Sequence, residues 1–200
     1  MSRGGEGEEA IGTMIDTVAV GPWQRHERRV AYENAWVTGY HDAVTRPDGS
    51  AGIYGVVHFA ALAVGVVALD DADRVALVGQ HRYTLDEMSW EIPEGGSPAD
   101  EDSLEGARRE LREETGVEAR TWHRIGRYHL SNSVSDEEAI LFLATDLEPG
   151  EPRLEGSEAD LTMRWVPFEE ALAMIRRGEI TDAMSVLALQ ALALSRLASP

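Results

Sequence analysis

A single α/β domain is the fold class the sequence predicts, and changes in its hydrophobic period predict it. Between residues 30 and 78, short β-branched and aromatic runs alternate with turn residues, the period of two that marks strands. Across residues 100–115 the period lengthens to 3.6. It returns to two at residues 118–128 and 138–145, before helical patterns at 168–177 and 182–197 close the chain. No internal repeat or break in composition interrupts residues 28–197, so these elements are expected to share one core.

Residues 1–20 are rich in Gly and Glu with little periodicity and read as a mobile acidic tail ahead of a domain over 21–198. Strands are expected at 30–33 and 36–46, ending at the turn signal Pro47-Asp48-Gly49. Further strands follow at 53–61, 63–69 and 75–78, with Asp70-Asp71-Ala72-Asp73 as the loop before the last. In the 100–115 helix, Leu104, Ala107 and Leu111 fall at i, i+3 and i+7 and form one apolar stripe. Gly116 is its natural C-terminal stop. A polar loop over 130–136 separates the next two strands, and residues 146–160 form an acidic loop of Pro, Gly and Glu. The last helix carries Ala183, Val186, Leu187, Leu189, Ala191, Leu192 and Leu194, too apolar all round for a solvated element. It is expected to be buried in the core or between subunits.

Composition excludes several classes. The 200 residues hold 36 acidic and 18 basic side chains, a formal net charge of −18, which repels phosphate backbones and anionic lipid surfaces. Neither nucleic acid nor membrane is therefore an expected partner, and an anionic substrate would need a cation between it and the protein. The chain has no cysteine, which removes disulfides, thiolate metal sites and thiol nucleophiles. No stretch approaches the roughly 20 apolar residues of a membrane span, and the N-terminus lacks the pattern of a secretory signal; a cytoplasmic setting is expected.

The 100–115 helix concentrates charge. Glu110, Glu113 and Glu114 crowd one face beside the apolar stripe, because residues three and four apart are helix neighbours. Like charges about 6 Å apart repel by roughly 3 kcal/mol per pair at an effective dielectric near 20, so something must offset them. Carboxylate oxygens suit Mg²⁺ or Mn²⁺, which would also supply the missing cation. Gly106 lies one turn before Glu110, where a side chain would block access, and the entering loop Pro93-Glu94-Gly95-Gly96-Ser97-Pro98 has glycines that admit a ligand to the backbone. A solvated helix with interleaved Arg108, Arg109 and Arg112 is the ordinary alternative.

The full spacing decides between them. Gly95, Glu101 and then Arg109-Glu110-Leu111-Arg112-Glu113-Glu114-Thr115-Gly116-Val117 match G-x5-E-x7-R-E-U-x-E-E-x-G-U, with U aliphatic, at all nine specified positions. Average composition gives a chance match on the order of 10⁻⁷. The pattern resembles the signature of the Nudix hydrolases. The similarity spans most of residues 28–197 and looks closest to the branch of ADP-ribose pyrophosphatases and related nucleoside diphosphate sugar hydrolases. Gly79-Gln80-His81-Arg82-Tyr83 with Trp90-Glu91-Ile92-Pro93-Glu94-Gly95, Arg164-Trp165-Val166-Pro167 before Glu169-Glu170-Ala171, and Gly178 through Ser185 carry that narrower match.

The resemblance implies an α/β/α sandwich with a mixed sheet, and metal-dependent attack of water on a pyrophosphate bond. By position, Glu110 and Glu114 would bind Mg²⁺ (Mn²⁺ as the alternative), Glu113 a further metal or metal-bound water, and Glu94 would offer its backbone carbonyl. Arg109 would orient the carboxylates, Glu101 would fix the loop before the helix, and Arg82, Gly95 and Gly96 would meet the substrate. A glutamate in the later acidic loop would align or deprotonate the water, with Glu158 placed ahead of Glu155 and Asp160. Members of this branch are commonly homodimers whose N-terminal strands complete the partner's site, and residues 28–60 look like such a unit. One departure bears on the substrate. Ser131-Asn132-Ser133-Val134-Ser135-Asp136-Glu137 stands where many ADP-ribose hydrolases have a Ser-Pro-Gly turn, so ADP-ribose is first among several nucleoside diphosphate sugars. A nucleotide-sensing module without catalysis and an RNA-cap pyrophosphohydrolase are the alternatives. The retained box charges disfavour the first and the net charge of −18 the second. Trp36, Tyr40, Tyr54 and Trp90 are candidates for base stacking, against core or interface roles. The six histidines show no metal-ligand spacing.

Overall fold

The computed structural model describes residues 14–154 and 160–198. They divide into two compact units. One contains the described residues up to Ala60 with Ser133–Asp136, and the other contains Ala61–Asn132 with those from Glu137 onward.

The first unit is an antiparallel meander of β1 (Met14–Val20), β2 (Trp23–Glu33), β3 (Val37–Thr45) and β4 (Ala51–Phe59), hydrogen-bonded in chain order. Residues 14–20, expected within the tail, form β1, where Thr17, Val18 and Val20 provide a short β-branched edge for β2. The turn at residues 47–49 occurs as expected. Gly49 takes φ +84°, and Asp48 Oδ1 accepts from the Ser50 amide at 2.9 Å. A half-buried ion pair sits between β2 and β3, where Arg28 donates to both oxygens of the buried Asp42 at 2.8 and 2.7 Å and stacks 4.3 Å over Tyr40. The segment Ser133–Asp136 joins this unit through Val57, whose amide donates to Val134 O at 2.8 Å, and through His58, whose Nδ1 lies 2.5 Å from Asp136 Oδ2.

In the second unit β5 (Ala61–Ala68), β6 (Arg74–Arg82), β7 (Glu87–Glu91) and β8 (Glu94–Pro98) precede helix α1 (Ser103–Thr115). β9 (Glu118–His129), β10 (Glu138–Glu148) and β11 (Thr162–Pro167) follow, then α2 (Phe168–Arg177) and α3 (Ala183–Ala198). One sheet has the order β8-β5-β10-β9 and another β11-β6-β7. The β5–β10 pairing is parallel and the others are antiparallel, the expected mixed arrangement. A parallel pair needs a crossover, and α1 lies within it.

Alternation along the central strands builds two cores, one on each face. Val64, Val66 and Ala68 of β5 and Phe142 and Ala144 of β10 meet Ala107 and Leu111 of α1. Val67, Val75, Leu77, Ala139 and Leu141 point the other way and meet Phe168, Ala171 and Met174 of α2 and Ala188, Leu189 and Leu192 of α3. This is the α/β/α sandwich. At Gly65 a Cβ would come within 3.0 Å of Leu141, Ile92 and Met184, so only glycine lets those side chains close over β5. Helix α3 buries one stripe in the core and leaves Leu194 and Leu197 exposed in the single chain. Among the described residues no helix is long and apolar enough to cross a membrane.

In the second unit, three strands escaped the sequence pattern. β7 is half-exposed with Glu at both ends, β8 contains Gly95-Gly96, follows Pro93 and ends on Pro98, and β11 is short. Each pairs along a neighbouring strand, and that pairing outweighs weak propensity.

Candidate active site

The site begins at the link between β7 and β8. The Pro93 carbonyl accepts from the Val66 amide at 2.8 Å, which starts β8 along β5. Side chains on a strand alternate, so Gly95 and Ser97 face α1 while Gly96 faces Ala61. Helix α1 starts where Asp102 Oδ1 accepts from the Leu104 amide at 2.9 Å, and it stops at Gly116, whose φ of +72° and bond to Arg112 O make a left-handed cap.

Two glycines let helix and strand close together. A Cβ on Gly95 would fall 2.5 Å from Glu110 Oε2, and one on Gly106 would fall 2.6 Å from Ser97 Oγ. Gly106 therefore serves the packing of α1 on β8, a correction to the expectation that it keeps a path to Glu110 open. Gly95 makes room for the Glu110 carboxylate. Gly96 is exposed, and its carbonyl accepts from Arg109 Nη2 at 2.7 Å.

Arg109 gathers the box carboxylates. Its Nε and Nη2 donate to Glu101 at 3.2 and 3.0 Å, and its Nη1 donates to Glu110 Oε1 at 2.7 Å and Glu113 Oε2 at 3.2 Å. These bonds, led by the pair with Glu101, raise the arginine's pKa and hold Glu101 below the ordinary carboxylate range. The repulsion anticipated among the glutamates is thus offset in part by a guanidinium of the same helix. Glu114 is buried, and its Oε2 accepts from the Glu94 amide at 3.1 Å.

Arg82 enters from β6. It chelates Glu91 through Nε at 2.9 and 3.1 Å and through Nη2, and that Nη2 lies 3.6 Å from Glu94 Oε1. Burial pushes the Glu94 carboxyl well up, helped by the carboxylates of Asp182 and Glu91. Burial and Asp182 raise Glu137 in the same direction. Glu91, Asp182 and Glu137 were not among the expected site residues. Glu91 alone left a signal, a carboxylate in the apolar run Trp90-Glu91-Ile92-Pro93; the others depend on tertiary approach.

The acidic loop after β10 is pinned to the end of α1. The Arg153 amide donates to Glu113 O at 2.8 Å, and a Cβ on Gly116 would strike the backbone of Gly150, Glu151 and Pro152. Glu155 and Glu158 lie outside the described residues, and Asp160 is exposed. Of the stacking candidates, Trp90 carries the Arg164 guanidinium 3.7 Å over its ring and covers Gly79. Tyr54 meets Trp23 edge-on at 5.3 Å, Tyr40 lies under Arg28, and Trp36 is exposed.

Among the described residues no three acidic or histidine side chains form a ready metal cage, since Arg109 stands between Glu110 and Glu113. The donors nevertheless fit a hard divalent cation. They are oxygens only, Glu110 and Glu114 are buried, and Glu94 Oε2 is buried with no hydrogen-bond partner.

Comparison with known proteins agrees with this arrangement. The NUDIX domain profile matches residues 60–185, and that of the nucleoside diphosphate sugar hydrolase N-terminal domain matches residues 23–57. The gap between the two matches, residues 58–59, lies just before the point where the first unit gives way to the second at Ala61. The ADP-ribose pyrophosphatase of Mycobacterium tuberculosis is 39% identical over 148 residues, covering 72% of this chain and 70% of that protein. The ADP-ribose pyrophosphatase of Bacillus subtilis is 33% identical over 156 residues, covering 78% and 84%. A solved ADP compounds hydrolase shares the fold with a TM-score of 0.79 at 19% identity, covering 91% of this chain and 98% of its own.

Proposed function

Because the chain belongs to the NUDIX domain family, we propose that it hydrolyses the pyrophosphate bond of a nucleoside diphosphate sugar, ADP-ribose first, to a nucleoside monophosphate and a sugar phosphate. The match of residues 23–57 and the two ADP-ribose pyrophosphatase relatives support that substrate class. The observation that carries the reading is the convergence on one face of α1. One arginine holds Glu101, Glu110 and Glu113, while Glu114 turns toward the β7–β8 link.

Nudix hydrolases generally depend on a divalent metal. Glu110, Glu114, Glu113 and the Glu94 carbonyl would hold Mg²⁺, with Mn²⁺ as the alternative. Once bound, the ion would neutralise diphosphate charge and acidify water for the attack. The chain's own residues do the rest. Arg109 keeps the carboxylates oriented, with Glu101 anchoring its far side. Arg82, its guanidinium fixed from behind by Glu91, presents its remaining donors to a phosphate oxygen. Gly95 and Gly96 let the diphosphate approach the β8 backbone. A carboxylate of the acidic loop, Glu158 ahead of Glu155 and Asp160, accepts the proton of the attacking water. The exposed Val20, Val30, Trp36 and Ile53 of the first unit support a homodimer formed through it, and the cysteine-free chain suits the cytoplasm.

The test is a panel of ADP-ribose, ADP-glucose, UDP-glucose, GDP-mannose and NADH with products identified, with and without Mg²⁺. ADP-ribose should give AMP and ribose phosphate only with metal. Glu114→Gln should remain folded and lose most turnover. Absence of turnover across the panel would overturn the proposal.

A further inference from the structure

We propose, building on the metal-dependent reading above, that Ser185 of α3 is a positioning residue for the metal-binding edge of the site. Helix α3 is the most apolar of the three helices, and among its buried residues Met184, Ser185, Ala188, Leu189 and Leu192 only the serine is polar. A buried hydroxyl is unfavourable unless it is bonded. Ser185 Oγ is fully buried and accepts from the Ile92 amide at 2.9 Å, across 93 residues of sequence.

Ile92 lies outside the strand ladders, in the link between β7 and β8. The two residues of that link and the first residue of β8 are each held by a different element. The Ile92 amide goes to Ser185 of α3, the Pro93 carbonyl to Val66 of β5, and the Glu94 amide to Glu114 of α1. The proline brings no N–H, so Ile92 and Glu94 supply the donors that set the rotation of the peptides around it. Ser185 is itself fixed, since its amide donates to Asp182 Oδ2 at 2.7 Å at the start of the helix.

This chain of bonds links the end of the sequence to the carboxylate and carbonyl assigned to the metal. Without the Ser185 oxygen, the Ile92 amide stays buried with no acceptor, and the link must turn to find one. The Glu94 peptide turns with it, away from Glu114. Residues that support metal ligands from behind typically change affinity or activity 10- to 100-fold when removed.

The test uses the full-length protein and reads Mn²⁺ binding by electron paramagnetic resonance without substrate, beside Mg²⁺ activation of ADP-ribose turnover. Ser185→Ala should raise the half-saturating Mn²⁺ concentration about tenfold, and Ser185→Thr, which keeps the hydroxyl, should stay within about twofold of wild type. Leu189→Ala, which weakens the same helix without removing a hydrogen bond to the link, should lower the melting temperature and leave half-saturation unchanged. If Ser185→Ala does not fold, Ser185→Cys fills the space with a poor acceptor and carries the same expectation. Wild-type half-saturation in the folded Ala or Cys variant, or an equal shift in Leu189→Ala, would overturn the proposal. A wild type that binds Mn²⁺ but leaves ADP-ribose intact overturns the substrate reading and not this one. A wild type that binds no Mn²⁺ overturns both.

Discussion

Replacing Gly95 with alanine would drive a methyl group into the space that the Glu110 carboxylate occupies. The new Cβ would lie 2.5 Å from Glu110 Oε2. An ordinary contact needs about 3.5 Å, so the carboxylate must retreat by about 1 Å. It yields before the backbone, because it is the far end of a flexible side chain. Its retreat breaks the 2.7 Å bond from Arg109 Nη1. That loss should reduce stability by about 1.5–3 kcal/mol, offset by about 0.4–1 kcal/mol from the stiffer unfolded chain, which leaves a folded protein with a modestly lower melting temperature. A displacement of about 1 Å at a catalytic group can lower turnover about 10²-fold, so kcat/KM for ADP-ribose should fall by that order. Gly96→Ala is the stability control. Its Cβ would meet only Ala61 Cβ, at 3.4 Å, and its melting temperature should stay near that of the wild type. Calorimetry and steady-state kinetics on both variants decide the matter. A folded Gly95→Ala variant with wild-type kcat/KM would refute the coupling of this glycine to Glu110.

In the first unit, Arg28→Ala leaves the Asp42 carboxylate buried and unpaired and should cost about 3 kcal/mol, read as faster hydrogen exchange in β2 and β3; unchanged exchange would contradict this. Acid stability follows from Glu101, whose pairing with Arg109 holds its carboxyl below the ordinary 4.5. That contribution is fully present above pH 4.5 and is lost as pH falls through the folded value, so Glu101→Gln should lack this component of acid destabilisation in melting curves between about pH 7 and pH 3. Among the loop carboxylates, Glu158→Gln should lower kcat by at least about 10²-fold, and Glu155→Gln and Asp160→Asn far less; any other order in single-turnover assays reassigns the base.

The helix with its glycine stop and the crowding of Glu110, Glu113 and Glu114 were legible in the sequence, because each rests on a local period or an ungapped motif, and the mixed sheet followed from the family resemblance; the Asp102 cap and the parallel β5–β10 pair came from the structure. Strands β7, β8 and β11 were not legible, since their residues become strand only through a partner many positions away. The same holds for Arg82. Its sequence context suggests a phosphate contact, and the fold adds a bidentate clamp to Glu91 that no spacing rule contains.

The sequence by itself pointed to the kind of chemistry, because the complete spacing from Gly95 through Glu101 to Val117, and not the crowded carboxylates alone, separates this helix from a solvated one. Tertiary structure alone decided which partners complete the site. Gly106 against Ser97 sets the approach of helix to strand, Glu91 clamps Arg82 from behind, and Asp182 and Ser185, at the start of the last helix, reach Glu94 and Ile92. The physical reason is range. Periodicity and capping act within about one or two turns, whereas the burial that aligns Glu94 and Glu114 is set by two cores packed on opposite faces of the sheets.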